Sequence, residues 1–265
     1  MREFNVQLGP LALNLEWRLT LFTLMLLPFL TTLGFWQLDR ADEKAALGAR
    51  YAQRIAQPPV SLTSLDQADM DNAAGRLALA DRQVSFDAEF NAHAYLLLDN
   101  RQREGRVGYE VIALANTLGM VVPVNLGWVA GDPARRTLPE VQLPAGVVPI
   151  DGRIYVPTSA AYVLESADFP EALPAVVQTF DPASSASALL GLASGIQPGA
   201  ARLLPLEVRI AAKSPFAFRA DWPIVNQSPA KHTGYAVQWF TMAVVLLIAF
   251  VWRSSNIAQL FKRRA

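Results

Sequence analysis

Two stretches of the chain carry no charge, and they lie near its two ends. Leu19 to Leu38 and Thr233 to Trp252 are each 20 residues long without Asp, Glu, Lys or Arg. A hydrocarbon layer of roughly 30 Å is crossed by about 20 helical residues, so both stretches predict transmembrane helices. Trp17 and Trp36 bracket the first, and Tyr235, Trp239 and Trp252 bracket the second. Amphipathic rings of this kind favour the headgroup level. Pro28 sits inside the first span, where a membrane helix tolerates it. No small-x-small cleavage site follows closely on Leu38, so the first span reads as an uncleaved anchor.

Between the spans the pattern changes twice. Asp39 to Gln57 is rich in Ala, Glu, Lys, Arg and Gln, with Tyr51 and Ile55 one turn apart. It predicts a helix that Pro58-Pro59 ends. From Gln83 to Phe90 apolar and polar residues alternate, the mark of a half-buried antiparallel strand. Tyr95 to Leu98 is a short apolar run. Gly108–Ala115 and Met120–Val129 flank Asn116-Thr117-Leu118-Gly119, which predicts a hairpin. Val147–Val156 contains Asp151-Gly152, a turn dipeptide that predicts a second one. Leu206–Ile210 alternates again. Residues 181–200, rich in Ser, Ala, Gly and Pro, read as a loop or a weakly specified helix. The Gly191/Gly195 spacing there lies outside any span, so it carries no membrane-dimer meaning.

The expected fold is therefore an α+β membrane protein. Two terminal transmembrane helices, 19–38 and 233–252, bracket an antiparallel β-rich extracytoplasmic domain at 39–232, barrel-like or sandwich-like. Residues 1–18 and 253–265 form the remaining ends. Arg253, Lys262, Arg263 and Arg264 follow the second span without an acid, which predicts a cytoplasmic tail and, with two spans, a cytoplasmic N-terminus.

Composition narrows the chemistry. Charged residues are 17% of the chain against 52% hydrophobic, a deficit that fits embedded segments. Basic and acidic residues balance at 23 each, and no basic patch points to nucleic acid. There is no cysteine, which excludes disulfides, thiolate metal sites and iron–sulfur clusters. Phosphate-binding loops and the nucleophile elbow are absent. Ser228-Pro-Ala-Lys231 matches SxxK without partner motifs and reads as chance. The scattered acids, Asp42 and Glu43 among them, read as solvated surface.

His93 and His232 are the only histidines. His93 sits beside a strand and receives no role. His232 lies at the edge of the second span, with Trp239 one or two turns below. An interfacial imidazole with its tip in water is the plainer reading. The alternative is an axial nitrogen for an apolar porphyrin. Asn125-Leu126-Gly127-Trp128 also stands out. A Gly beside a Trp in a strand predicts a bulge or a close backbone approach, and a docking aromatic is the functional alternative.

Several motifs together resemble one family, the Surfeit locus protein 1 family. Gly34-Phe-Trp-Gln-Leu-Asp-Arg40, then Lys44, is similar to its exit from the first span. Leu98-Asp-Asn-Arg101 and Gly105-Arg-Val-Gly-Tyr-Glu-Val111 resemble its first strand pair. Val124-Asn-Leu-Gly-Trp-Val129 resembles its V-N-R-G-W-V signature, with Leu126 where Arg is usual. His232-Thr-Gly-Tyr-Ala-Val-Gln-Trp-Phe240 resembles its entry into the second span. The set covers nearly the whole chain, apart from a divergent stretch at 157–200.

The resemblance implies a factor for assembly of haem–copper cytochrome c oxidase, helping to place haem a in the catalytic subunit. It implies no turnover chemistry. It makes His232 the leading candidate for haem iron, with Tyr235, Trp239, Trp36 and Arg40 around it and Gln37 on the same lip. The implied partners are the oxidase catalytic subunit, haem a synthase and the lipid bilayer. The implied location is the cell inner membrane, crossed twice. The lack of an Arg/Ser-rich transit segment fits a bacterial member. Two other readings stand beside it: a scaffold that docks oxidase subunits without haem, and a membrane-tethered hydrolase, which paired carboxylates in a pocket would favour.

Overall fold

The computed structural model describes residues 3–8, 11–157, 169–196, 202–222 and 228–257. In chain order the elements are β1 (Glu3–Leu8), β2 (Leu11–Glu16), α1 (Trp17–Ile55), β3 (Val60–Ser61), α2 (Gln67–Asp71), α3 (Ala73–Ala78), β4 (Gln83–Arg103), β5 (Arg106–Thr117), β6 (Met120–Ala130), β7 (Val147–Tyr155), β8 (Ala175–Val177), α4 (Ala186–Ile196), β9 (Arg202–Leu203), β10 (Glu207–Ile210) and α5 (Pro229–Ser254). They divide into two units, Met1–Arg50 with Pro223–Ala265, and Tyr51–Trp222.

The first unit holds both apolar helices. Each is long and apolar enough to cross a membrane, with mean hydropathy 1.7 over an 18-residue stretch of α1 and 1.9 over one of α5. Their outward faces are bare hydrocarbon: Leu24, Met25, Val245 and Ile248 are all well exposed. Such a surface is costly in water and costs nothing in lipid. At ~1.5 Å per residue, the 39 residues of α1 extend about 58 Å, so the helix continues well past an apolar layer of ordinary thickness. The first span and the helix expected at 39–57 are thus one element. The N-terminal segment contains an antiparallel hairpin, β1–β2, that its sequence did not announce. The hairpin is tied to the end of α5, where the Ala12 amide donates to Asn256 Oδ1 at 2.9 Å and the Asn256 amide to Ala12 O at 3.1 Å. The hairpin and the residues that follow α5 therefore meet at one end of the helix pair. Lys262, Arg263 and Arg264, which predict the cytoplasmic tail, lie outside the described residues.

The second unit is a barrel. β4 pairs antiparallel with β5 and β7, β5 with β6, and β7 with β10, while β10 runs parallel to β6 and closes the ring. A long first strand shared by two neighbours, a meander, and a last strand returning parallel to the third is the connectivity of an OB-type barrel. β3, β8 and β9 add further parallel pairs. The sheet is mixed, and the expectation of an antiparallel sheet is corrected. Alternation marks a strand but does not encode the direction of its neighbour. Here the chain leaves β6 and returns beside it as β10 only after a long intervening stretch that includes β7, and a parallel partner requires such a long connection.

Both faces of the central strands are covered. Ala113 and Ala115 enter the barrel core with Val84, Val124, Ile150 and Val208. Ile112 and Leu114 enter a second core with Leu96, Leu98 and two α4 residues, Leu189 and Ala193. That is why β5 reads as a continuous apolar run. The Asn116–Gly119 hairpin forms as expected, with Leu118 and Gly119 both at positive φ in a two-residue loop. The second expected hairpin does not form: Asp151-Gly152 lies inside β7. A Cβ at Gly152 would stand 2.7 Å from Arg209 O, so this glycine lets β10 close the barrel and makes no turn.

Candidate functional site

The helix pair is joined along a seam of small and compact residues. Thr23, Leu30, Gly34 and Ala41 are the buried residues of α1, spaced by seven, four and seven. Ala236 and Ala243 are buried on α5, again seven apart. This spacing keeps one stripe facing a neighbouring helix. Close approach is achieved at Gly34, where a Cβ would lie 2.6 Å from Phe240 Cε1. Small residues let membrane helices pack at this range, where dispersion rather than water exclusion holds them together. Beside that contact, Phe35 meets Phe240 edge to face, with centroids 5.2 Å apart and planes at 76°.

One turn further along, the seam turns polar. His232 Nδ1 lies 2.8 Å from Gln37 Oε1. A carbonyl oxygen only accepts, so Nδ1 donates in this bond, and in the neutral imidazole that tautomer puts the lone pair on Nε2. A hydrogen bond to one imidazole nitrogen fixes the tautomer and ring orientation of the other, the arrangement found behind metal-bound histidines. The two residues are 195 positions apart, and only the pairing of α1 with α5 brings them together.

The other expected site residues lie on the same two helices. Arg40 lies over the Trp36 ring at 5.8 Å and bonds Glu43 at 2.6 Å. Trp36 and Tyr235 are exposed, and Trp239 is half-buried. Tyr235 and Trp239 follow His232 by three and seven residues, which puts them on one side of α5. Arg40 and Trp36 engage each other, and the hydrogen-bond partner of the His232 side chain is Gln37. His93 is exposed beside the β4 bulge. Ser228 caps α5 and Lys231 lies in its first turn, so the SxxK match is a helix start.

Sequence reading missed a buried polar cluster in the barrel. Asn125 Nδ2 donates to Glu110 Oε2 and to Glu207 Oε1, each at 3.0 Å, and Asn125 Oδ1 accepts from the Gly127 amide. Arg209 Nε donates to the same Glu207 oxygen at 3.1 Å, while its guanidinium stacks on Tyr155 and Trp222. Arg101 and Arg103 approach Glu110 at 3.9 Å. Burial pushes the Glu207 carboxyl above the usual carboxylate range; Arg209 and Asn125 oppose that shift, and the nearby Glu110 charge adds to it. The cluster joins β5, β6 and β10 at the parallel closure and acts as a clamp. Its signal was an isolated Glu or Asn inside an otherwise apolar strand.

The neighbouring Asn125–Trp128 signature is also structural. Gly127 has φ +111°, and a Cβ there would lie 2.8 Å from Arg219 O. Trp128 exchanges backbone hydrogen bonds with Arg219, and its Nε1 donates to Arg101 O at 2.9 Å. Its indole covers Gly108, where no Cβ would fit. Leu126 is the bulged residue and is wholly buried in the barrel core.

Two long apolar helices at the ends of the chain and a small mixed barrel between them in sequence define an α+β protein with two candidate membrane spans. The chain matches the SURF1 family model over residues 24–244 and belongs to that family, which is associated with cytochrome c oxidase assembly. A comparison with curated proteins finds no match.

Proposed function

We propose that this chain works at a bacterial-type inner membrane, holding haem a for transfer to the catalytic subunit of a haem–copper oxidase, with haem a as cargo and no turnover chemistry. The observation that carries the reading is the His232–Gln37 hydrogen bond, which orients the ring through Nδ1 and leaves Nε2 outside that bond. The surrounding residues suit a porphyrin. Trp36, Tyr235 and Trp239 offer aromatic surface, and Arg40 offers a cation to a propionate. Arg40 is held by Glu43 in an exposed pair, the kind worth about 0–1 kcal/mol, so it exchanges partners cheaply. A single histidine ligand suits a carrier, because a second strong ligand would slow release.

The test is a visible spectrum of the full chain purified in detergent after co-expression with haem a synthesis enzymes. A Soret band in the wild type that is lost in His232→Ala supports the reading. No band in either sinks it. The scaffold reading, in which the spans anchor a subunit-docking barrel, then takes its place.

A further inference from the structure

The β4–β5 hairpin gathers three arginines on one face of the sheet. Arg101 and Arg103 stand two residues apart on β4, and alternate residues of a strand share a face. Arg103 is the register partner of Arg106 on β5, so those two share it as well. Like charges set directly opposite each other are destabilising, which leaves a demand for an anion.

The neighbouring acids meet little of that demand. Glu104, at the tip of the hairpin, bonds Arg219 at 2.6 Å. Asp99 bonds Arg135 at 2.8 Å. Glu110 lies on the arginine face, but Arg101 Nε and Arg103 Nη2 both stop 3.9 Å from its Oε1, outside hydrogen-bond range. Its other oxygen accepts from Asn125. Arg101 Nε is buried without a hydrogen-bond partner among the described residues, a costly state for a donor. The group is still open to solvent: the Arg101 side chain is 42% exposed, and Arg106 is exposed.

Among the described residues, three cations on this face therefore meet one carboxylate, an excess of two positive charges. A phosphate monoester carries about −1.5 to −2 near pH 7 and three acceptor oxygens. Guanidinium forks match those oxygens with paired N–H bonds. A carboxylate or a phosphodiester carries a single charge and leaves part of the excess in place.

We infer that Arg101, Arg103 and Arg106 form a binding site for a doubly charged phosphate, supplied either as the free anion or as the headgroup of a monoester lipid such as phosphatidic acid. Two arms separate the sources. In the first, the full chain in phosphatidylcholine nanodiscs is titrated with inorganic phosphate by calorimetry at constant ionic strength. Saturable heat assigns the site to free phosphate. In the second, thermal denaturation compares nanodiscs containing phosphatidic acid with nanodiscs containing phosphatidylglycerol, an anionic phosphodiester. A higher Tm in phosphatidic acid assigns the site to the headgroup. In whichever arm the wild type responds, Arg103→Gln and Arg106→Gln should each weaken the response about tenfold or more, the scale for hydrogen bonds to a charged group. Arg106 is exposed, so its variant keeps the fold. Lys213→Gln, at an exposed cation beyond β10, should leave the response unchanged. No response of the wild type in either arm would overturn the inference. So would a response that survives both arginine variants, or one that Lys213→Gln weakens as much.

Discussion

Gly34 of α1 faces the ring of Phe240 so closely that any side chain at residue 34 must displace it. Phe240 has little freedom to yield, because Phe35 already packs on it edge to face. Gly34→Val is therefore expected to push the helices apart at the point that sets the His232–Gln37 distance. Overpacking of this kind costs about 1–3 kcal/mol. Thermal denaturation in detergent should show a lowered Tm for Gly34→Val. Gly48→Val serves as the control, since a Cβ at Gly48 meets nothing within 4 Å. Equal Tm values for the two variants would contradict the packing argument.

Gln37 is expected to position His232 without touching the iron. Its carbonyl oxygen fixes the Nδ1–H tautomer. Losing such a partner weakens metal binding by about 10- to 100-fold. Gln37→Ala should lower haem affinity in that range, and Gln37→Glu, which keeps an acceptor, should restore it. If both substitutions weaken binding equally, the oxygen is not the determinant.

The parts of this protein set by one continuous pattern were readable in sequence. Leu19–Leu38 and Thr233–Trp252 announce their helices because a run without charge has few other solutions. The β5–β6 hairpin was readable because Asn116-Thr117-Leu118-Gly119 stands between two apolar runs, and the close approach at Gly127 followed from a glycine beside a tryptophan in a strand. What escaped depends on partners remote in sequence. β10 alternates whether its neighbour runs parallel or antiparallel. Glu110 and Glu207 look like surface acids until Asn125 is placed between them. His232 and Gln37 could each be assigned to a lip, but their bond appears only when two distant helices pair.

Gly152 makes the same lesson measurable. As the turn dipeptide it resembles, Asp151-Gly152 would tolerate Ala at modest cost. Inside β7, with Arg209 O 2.7 Å from the position of a Cβ, it should not. Gly152→Ala is expected to destabilise the full-length protein by about 2–3 kcal/mol, a typical overpacking penalty. Chemical denaturation followed by tryptophan fluorescence reads this through Trp128 and Trp222. Asp151→Ala, at an exposed position, should change little. The reverse order would restore a turn at this place.

The Glu110–Asn125–Glu207 clamp should give the barrel an alkaline weakness. Glu207 has a raised pKa in the folded protein, with burial the main cause. Above its unfolded pKa of about 4.3, the folded state holds a proton that the unfolded state has lost. Stability therefore falls as pH rises from the unfolded to the folded pKa, and levels off beyond it. Glu207→Gln keeps an oxygen for Asn125 and Arg209 while removing both the buried charge and its repulsion from Glu110. The variant should match the wild type near pH 4 and exceed it at pH 8. Asn125→Leu does the opposite: it removes the donor between two buried carboxylates, and the loss should grow with pH. It should reach about 3 kcal/mol, the scale for breaking a buried charged hydrogen-bond network. Denaturant midpoints at pH 4, 6 and 8 for the three proteins decide the matter. Parallel pH profiles for wild type and Glu207→Gln would show that Glu207 is ionised at no cost and that the cluster is an ordinary salt-bridge network.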